Sequence, residues 1–504
     1  MSGILSGMRH LLSGVTRMGN TLNKDKIAVL IAAHIGLALC GILVAFGQPI
    51  AGVLALVVVT AAPLCFRIGV VTTAVCVAIL LYGVVGAIGL YAPAVGPLVQ
   101  VSLIGLSALG AFWGLRFAMQ TKLRGVAPKL AAIYMFCCAL ATVVSVFGSG
   151  ITFGLRSGLA LVFPLLCAFA VAGTISSGAT DYTRGQRRLS IVATVVVVVV
   201  GNAAFSLRQA TIGFTGAEMA EITAGLSTYG VGDTIRTMGL LPTNQDFGLL
   251  AACLTPALFM SAAHTKGWYR TWLLVAGVAL AAAMALSLTR TSLIAAVAAL
   301  VIALALWGNG DLVKRLAKYG SIAAVSTVAL ILMVQASGNE RVITAVDRAL
   351  TLTDLTGDRS FNDRLAIVYP RAIQAMIENP FGAGSGSAGP MSQIRPDIAP
   401  LGELTTDNGF LMIGVQLGWI GMVVFFALLV SAMAWLVKKD TFYAISAATA
   451  ILALMIAMIT AQYWTLTAPV CVIAAWVGLG VSSTSKTADP TLLVKPREKL
   501  LVIK

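Results

Sequence analysis

Apolar runs follow one another along almost the whole of this chain, and most of the breaks between them are too short to hold a soluble domain. Crossing a bilayer as a helix takes about 20 apolar residues. Fourteen runs meet that need, at 27–46, 50–66, 69–91, 97–116, 130–148, 157–175, 189–206, 246–263, 271–288, 292–308, 319–335, 410–436, 441–459 and 463–481. Composition points the same way. Charged residues make up 11% of the chain, against about a quarter in soluble domains, so the outer surface must face lipid. The 50 glycines suit membrane helices that pack closely. The expected fold is an all-α polytopic membrane protein with about fourteen transmembrane helices.

The domain order follows from these runs. Residues 1–26 open with Ile4, Leu5, Met8, Leu11, Leu12, Val15, Met18 and Leu22 at helical spacing, with Arg9 and Arg17 between them. This predicts an amphipathic segment on the cytoplasmic surface rather than a cleaved signal. Residues 27–335 hold spans one to eleven and a far-side loop at 207–245. Residues 336–409 form a large far-side loop expected to contain short helices, since Ile367, Ala372, Ile373, Met376 and Ile377 recur at helical spacing. Residues 410–481 hold the last three spans, and 482–504 a basic cytoplasmic tail. With the N-terminus placed in the cytoplasm, all thirteen lysines fall on the cytoplasmic side, as the positive-inside rule requires. No internal repeat is visible. The net charge of +15 is spread between spans, which argues against nucleic acid as a partner. The eight cysteines lie in apolar segments without a CxxC pair, so they read as small buried hydrophobes rather than as a disulfide or zinc framework.

The far side carries ten arginines and no lysine: Arg156, Arg208, Arg236, Arg290, Arg341, Arg348, Arg359, Arg364, Arg371 and Arg395. Arginine presents a planar fork of donors that fits phosphate oxygens in pairs. The pattern predicts a polyanionic ligand, most simply a diphosphate. Salt bridges to Asp347, Asp354, Asp358 or Asp363 are an equal reading for Arg341, Arg348 and Arg359. Arg290 stands between two apolar runs with almost no loop, where a charge is costly and usually functional. Arg236 opens Arg236-Thr-Met-Gly239, which leads into a span whose N-terminus would itself attract an anion. Asn244 and Asp246 read there as helix caps. The run Gly384-Ser-Gly386-Ser-Ala-Gly389 matches a dinucleotide fingerprint in letters alone. It lacks the βαβ context and reads as flexible turns.

Several segments together resemble the bacterial O-antigen ligase and Wzy-type polysaccharide polymerase superfamily across roughly 230–425. These are Arg236-x-x-Gly before a helix, Thr289-Arg290 at a helix start, Arg364 with Asn379-Pro380-Phe-Gly382-Ala-Gly384 in a long loop, and Asp407-Asn408 before Gly418-x-x-Gly421. The resemblance implies a GT-C-like glycosyltransferase in the bacterial inner membrane. Its active site would face the periplasm, and it would transfer oligosaccharide from undecaprenyl diphosphate with inversion at the anomeric carbon. By motif, Arg236, Arg290 and Arg364 would hold the diphosphate, with Arg371 as a substitute for Arg364. The family's ligases show His-Asn where this chain has Asp407-Asn408. The histidines are His10, His34 and His264, none of them placed by the topology at the far face. The general base must then be a carboxylate, Asp407 first and Glu403 second, with a helix-capping role the other reading of Asp407.

The resulting expectation is a metal-independent, cofactor-free polymerase of exopolysaccharide or O-antigen repeat units. The partners would be the lipid-linked oligosaccharide, membrane lipid, and a chain-length regulator or export complex. A ligase acting on lipid A core or protein is the nearest alternative. A lipid-linked oligosaccharide flippase is the next, though transporters usually show repeats and midplane binding residues.

Overall fold

The computed structural model describes residues 69–121, 125–178, 180–224, 230–231, 234–287, 289–307, 362–404 and 406–483. The expected N-terminal amphipathic segment, the spans at 27–46, 50–66 and 319–335, and Arg341, Arg348 and Arg359 lie outside them. The chain divides into two units, residues 1–77 and 78–504. The described part of the first is the start of helix α1 (Val70–Gly83), where Thr73 Oγ1 donates to Gly69 O.

The other helices are α2 (Val85–Tyr91), α3 (Gly96–Thr121), α4 (Val126–Ser149), α5 (Ile151–Ser176), α6 (Asp181–Thr211), α7 (Gly216–Ala224), α8 (Asn244–Ala263), α9 (Trp268–Leu286), α10 (Arg290–Trp307), α11 (Tyr369–Glu378), α12 (Pro390–Ile394), α13 (Gly409–Val437), α14 (Phe442–Met458) and α15 (Thr467–Val481). A two-residue ribbon, β1 (Gly230–Val231) against β2 (Thr234–Ile235), interrupts the loop after α7. Eight helices among the described residues are long and apolar enough to cross a membrane, and α14 and α15 are shorter apolar helices. This is a multi-pass membrane protein. The run read as one span over 69–91 is instead broken, bending by 66° between α1 and α2. The bend admits another strand of chain. Ala87 N donates to Leu240 O, and a Cβ on Gly86 would lie 2.2 Å from the Leu241 carbonyl carbon.

Helix α8 is the hub, packed against α9, α10, α14 and α15 and buried over nearly its whole length. Helix α5 packs against α3, α4 and α15. Buried polar hands join these layers: Trp464 Nε1 donates to Leu161 O at 2.8 Å, and Tyr134 donates to the same oxygen at 3.1 Å. Of the six described cysteines, all but half-buried Cys137 are buried.

One departure reshapes the glycine-rich segment. Residues 382–389 are turns and bends, but they are buried from Ala383 to Gly389. Gly382, Gly384, Gly386 and Gly389 all have positive φ, and Ser385 and Ser387 are fully buried. The segment pairs by backbone with α13, Ala383 N to Val415 O and Gly384 N to Gln416 O. Gln416 reaches back, accepting from Gly386 N and donating to Ala388 O. Helix α13 breaks at Gly418 (φ +76), and Trp419 N donates to Pro380 O. The Asn-Pro-x-Gly-x-Gly motif and the Gly418-x-x-Gly421 motif are therefore two sides of one contact. Irregular backbone is tolerated when its polar groups are paired within the protein in this way.

Candidate active site

Arg236 is aimed by a clasp on α6. Gln209 Oε1 accepts from both Met238 N and Gly239 N at 3.0 Å, and its Nε2 donates to Gly239 O. Asn202 Oδ1 accepts from Leu240 N at 3.0 Å, and Ser206 and Thr237 share a hydroxyl contact of 2.7 Å. Gly239 has φ +63, and a Cβ there would sit 2.9 Å from Asn202 Oδ1. Arg208, one of the ten far-side arginines, is used up in this frame. It pairs with buried Glu218 of α7, which also accepts from Gln209.

The clasped segment runs into α8. Its N-cap is Thr243, whose Oγ1 accepts from Asp246 N at 3.1 Å and donates to Asp246 Oδ2 at 2.8 Å. Asn244 and Asp246 are not caps themselves. Asn244 is fully buried, and among the described residues neither atom of its amide has a hydrogen-bond partner. One turn along the same face, a Cβ on Gly248 would meet Ser292 Oγ at 2.5 Å and Thr289 Oγ1 at 3.0 Å. The missing side chain lets α8 lie against the start of α10, whose first residue is Arg290. The turn before it is fixed by a 2.6 Å contact between the Ser287 and Thr289 hydroxyls.

Arg364 begins a π-helical turn, Arg364–Val368, that leads into α11. Such turns are rare and recur at functional sites. Its Nε donates to Asp407 Oδ2 at 3.1 Å, with both side chains part-exposed. Asp407 sits at φ +43, a conformation uncommon for a residue with a side chain and one that persists where surroundings impose it. The capping role belongs to Asn408, whose Oδ1 accepts from Phe410 N and Leu411 N and whose Nδ2 donates to Ile459 O. The capping alternative for Asp407 is thereby set aside. Tyr369 donates to the same Ile459 carbonyl, and Thr406 donates to Gln462. These bonds tie the start of α13 to the connection between α14 and α15.

Of the four arginines singled out by motif, Arg236 lies within electrostatic reach of Arg290 and Arg364. Arg236 is half-buried, and its Nε is enclosed without a hydrogen-bond partner among the described residues. Burial lowers its pKa from the ordinary guanidinium value. Tyr463 opposes that shift, and the charges of Arg290 and Arg364 add to it. Tyr463 is buried in the turn before α15. Burial raises its hydroxyl above the ordinary tyrosine range, against the nearby Thr291 and Ser292 and the charge of Arg364. The sequence reading missed Tyr463. It stands at the very start of the apolar run 463–481, where it looks like an ordinary first residue of a span.

The remaining expected residues are exposed. Arg371 is exposed on α11, and Glu403 is exposed in the segment before α13. Arg395 pairs with Asp397 in an exposed turn, and Arg156 is exposed. His264 ends α8, about 30 Å along that helix from Asn244. The arrangement can hold an anion with several phosphate oxygens beside a carboxylate.

Residues 275–426 match the family model described as O-antigen ligase (Wzy_C). The matched stretch contains Arg290, Arg364 and Asp407, and the fold adds Arg236 from outside it. A search of curated proteins found no match to the chain.

Proposed function

We propose that this protein polymerises exopolysaccharide or O-antigen repeat units at the periplasmic face of the bacterial inner membrane. The donor is glycan on undecaprenyl diphosphate, and the acceptor is the sugar end of a second lipid-linked unit. The observation that carries this reading is that Arg236 feels the charges of both Arg290 and Arg364, from three separate segments, and that Arg364 pairs with Asp407. Forked guanidinium donors gathered in this way suit a diphosphate.

In this reading the acceptor hydroxyl oxygen attacks the anomeric carbon. The carbon–oxygen bond to the diphosphate breaks, and undecaprenyl diphosphate leaves with its charge on the arginines. Asp407 takes the hydroxyl proton, with Glu403 as the fallback base. The carboxylate is free to do so once the diphosphate has replaced it on Arg364. Arginine charge serves the leaving group here without a metal or cofactor. Arg371, exposed on α11, is kept as the outer reserve for Arg364.

Asp407-Asn408 in place of the ligases' His-Asn supports polymerase over ligase. The match over 275–426 favours glycan transfer over a flippase. A chain-length regulator or export complex would fit a polymer product as partner. The test is release of undecaprenyl diphosphate. Purified protein given its lipid-linked repeat unit should release one molecule per linkage formed. Transport of intact donor with no release would refute the reading.

A further inference from the structure

Helix α11 was expected in a loop outside the membrane, yet three distinct faces divide its surface. Ala372, Ala375 and Met376 are buried against the protein. Arg371, Gln374 and Glu378 form an exposed polar strip, with Gln374 Nε2 donating to Glu378 at 2.8 Å. Between these lies an exposed apolar edge. Ile373 is 40% exposed and Ile377 59%, and Phe381, just past the helix end, is 86% exposed. Beyond Phe381 the edge continues onto α13, where Trp419 is 40% and Ile420 62% exposed. The two parts are joined by the Trp419 N to Pro380 O bond.

The depth of this edge can be read from its pairing. Helix α13 is broken at Gly418, and the straight part beyond the break runs from Trp419 to Val437. That part is about 28 Å long, close to the thickness of a hydrocarbon core of about 30 Å. The residues that bind the 380–384 segment, Val415 to Trp419, lie at and just before its start. With the straight part set across the core, they stand at the hydrocarbon boundary, within about one helical turn of it. Helices that lie in a membrane interface carry their apolar face about 5–10 Å into the acyl boundary, with a polar face turned to water.

We infer that α11 and Phe381 form an interfacial element whose Ile373–Ile377–Phe381 edge, continued by Trp419 and Ile420, is seated in the acyl chains of the leaflet nearest the site. The polar strip faces the water side. Arg364, in the turn that starts this helix, marks its end nearest the arginine cluster. On the reaction proposed above, a lipid-linked donor then reaches Arg364 without its tail leaving the acyl layer. The membrane seat itself does not depend on that chemistry.

The test is site-directed spin labelling of the full chain in lipid nanodiscs. Nitroxides at Phe381→Cys and Ile377→Cys are compared with one at Asp397→Cys, the signal of unsubstituted protein being subtracted. Relaxation by oxygen should exceed relaxation by a water-soluble nickel chelate at 381 and 377, and the order should reverse at 397. Chelate access at 381 and 377 equal to that at 397 would overturn the inference. So would shielding from both agents, which would mean that protein covers the edge. Loss of donor turnover in wild type would count against the proposed reaction and leave this result untouched.

Discussion

Arg364 donates through Nε to Oδ2 of Asp407 across 3.1 Å, although 43 positions separate them. Because Asn408 supplies the cap of α13, Asp407 is not needed to start that helix. Asp407→Asn should therefore leave insertion and donor binding intact while turnover falls about 10²- to 10⁴-fold, the range for loss of a general base. Steady-state rates at matched protein levels decide this. Near-normal turnover would retire Asp407 and move attention to exposed Glu403.

Fork geometry is tested by changes that preserve charge. Arg236→Lys and Arg290→Lys should each lose about ten- to a hundredfold in donor use, since a hydrogen bond to a charged group contributes roughly 1.5–3 kcal/mol. Arg395→Lys is the control, because that side chain pairs with Asp397 in an exposed turn. Initial rates against donor concentration separate the cases. Near-wild-type rates for all three would mean that the arginine pattern reflects topology rather than diphosphate binding.

The break in α13 should be intolerant of a side chain. At Gly418 a Cβ would lie 2.4 Å from Pro380 O, at a φ of +76. Left-handed backbone alone costs a side-chain-bearing residue roughly 1–2 kcal/mol, and the clash adds to it. Gly418→Ala should lower the melting temperature in detergent by several degrees more than Gly89→Ala, where no atom stands within 4 Å. Equal melting temperatures would show that the 380–384 segment is not held as described.

Accessibility gives a fourth check. Motif composition suggests an exposed loop at Ser385, where a cysteine would react readily. In the fold Ser145 and Ser157 both donate to Ser385 O, and the residue is fully buried. Ser385→Cys should stay unlabelled by an impermeant maleimide in intact membranes while Asp397→Cys labels. Fast reaction at 385 would contradict the buried placement.

Much of this was legible in the sequence because lipid imposes simple rules. Apolar length marks the spans among the described residues, and arginine in place of lysine is what draws attention to Arg236, Arg290 and Arg364. The contacts that assemble them are less legible. Gln209 and Asn202 sit in a helix and look like ordinary polar residues, yet they clasp the Arg236 segment. The bend between α1 and α2 brings Ala87 onto the carbonyl of Leu240, far along the chain, which no local pattern encodes. The glycine run looked flexible because glycine permits many conformations. Its positive φ values are instead imposed by close contact, with Gly384 against Ser145 and Gly386 against Phe153. The cap moved by one residue, from Asp407 to Asn408, since either side chain can serve. The neighbouring arginine then claims the other.

The most direct test of the account is the product of the purified protein acting on its own lipid-linked repeat unit, resolved by length on a gel. The account predicts a ladder of glycans rising by one repeat unit, with undecaprenyl diphosphate released in step and no ladder from Asp407→Asn. A single shifted band that needs added lipid A core, or no covalent product at all, would contradict it.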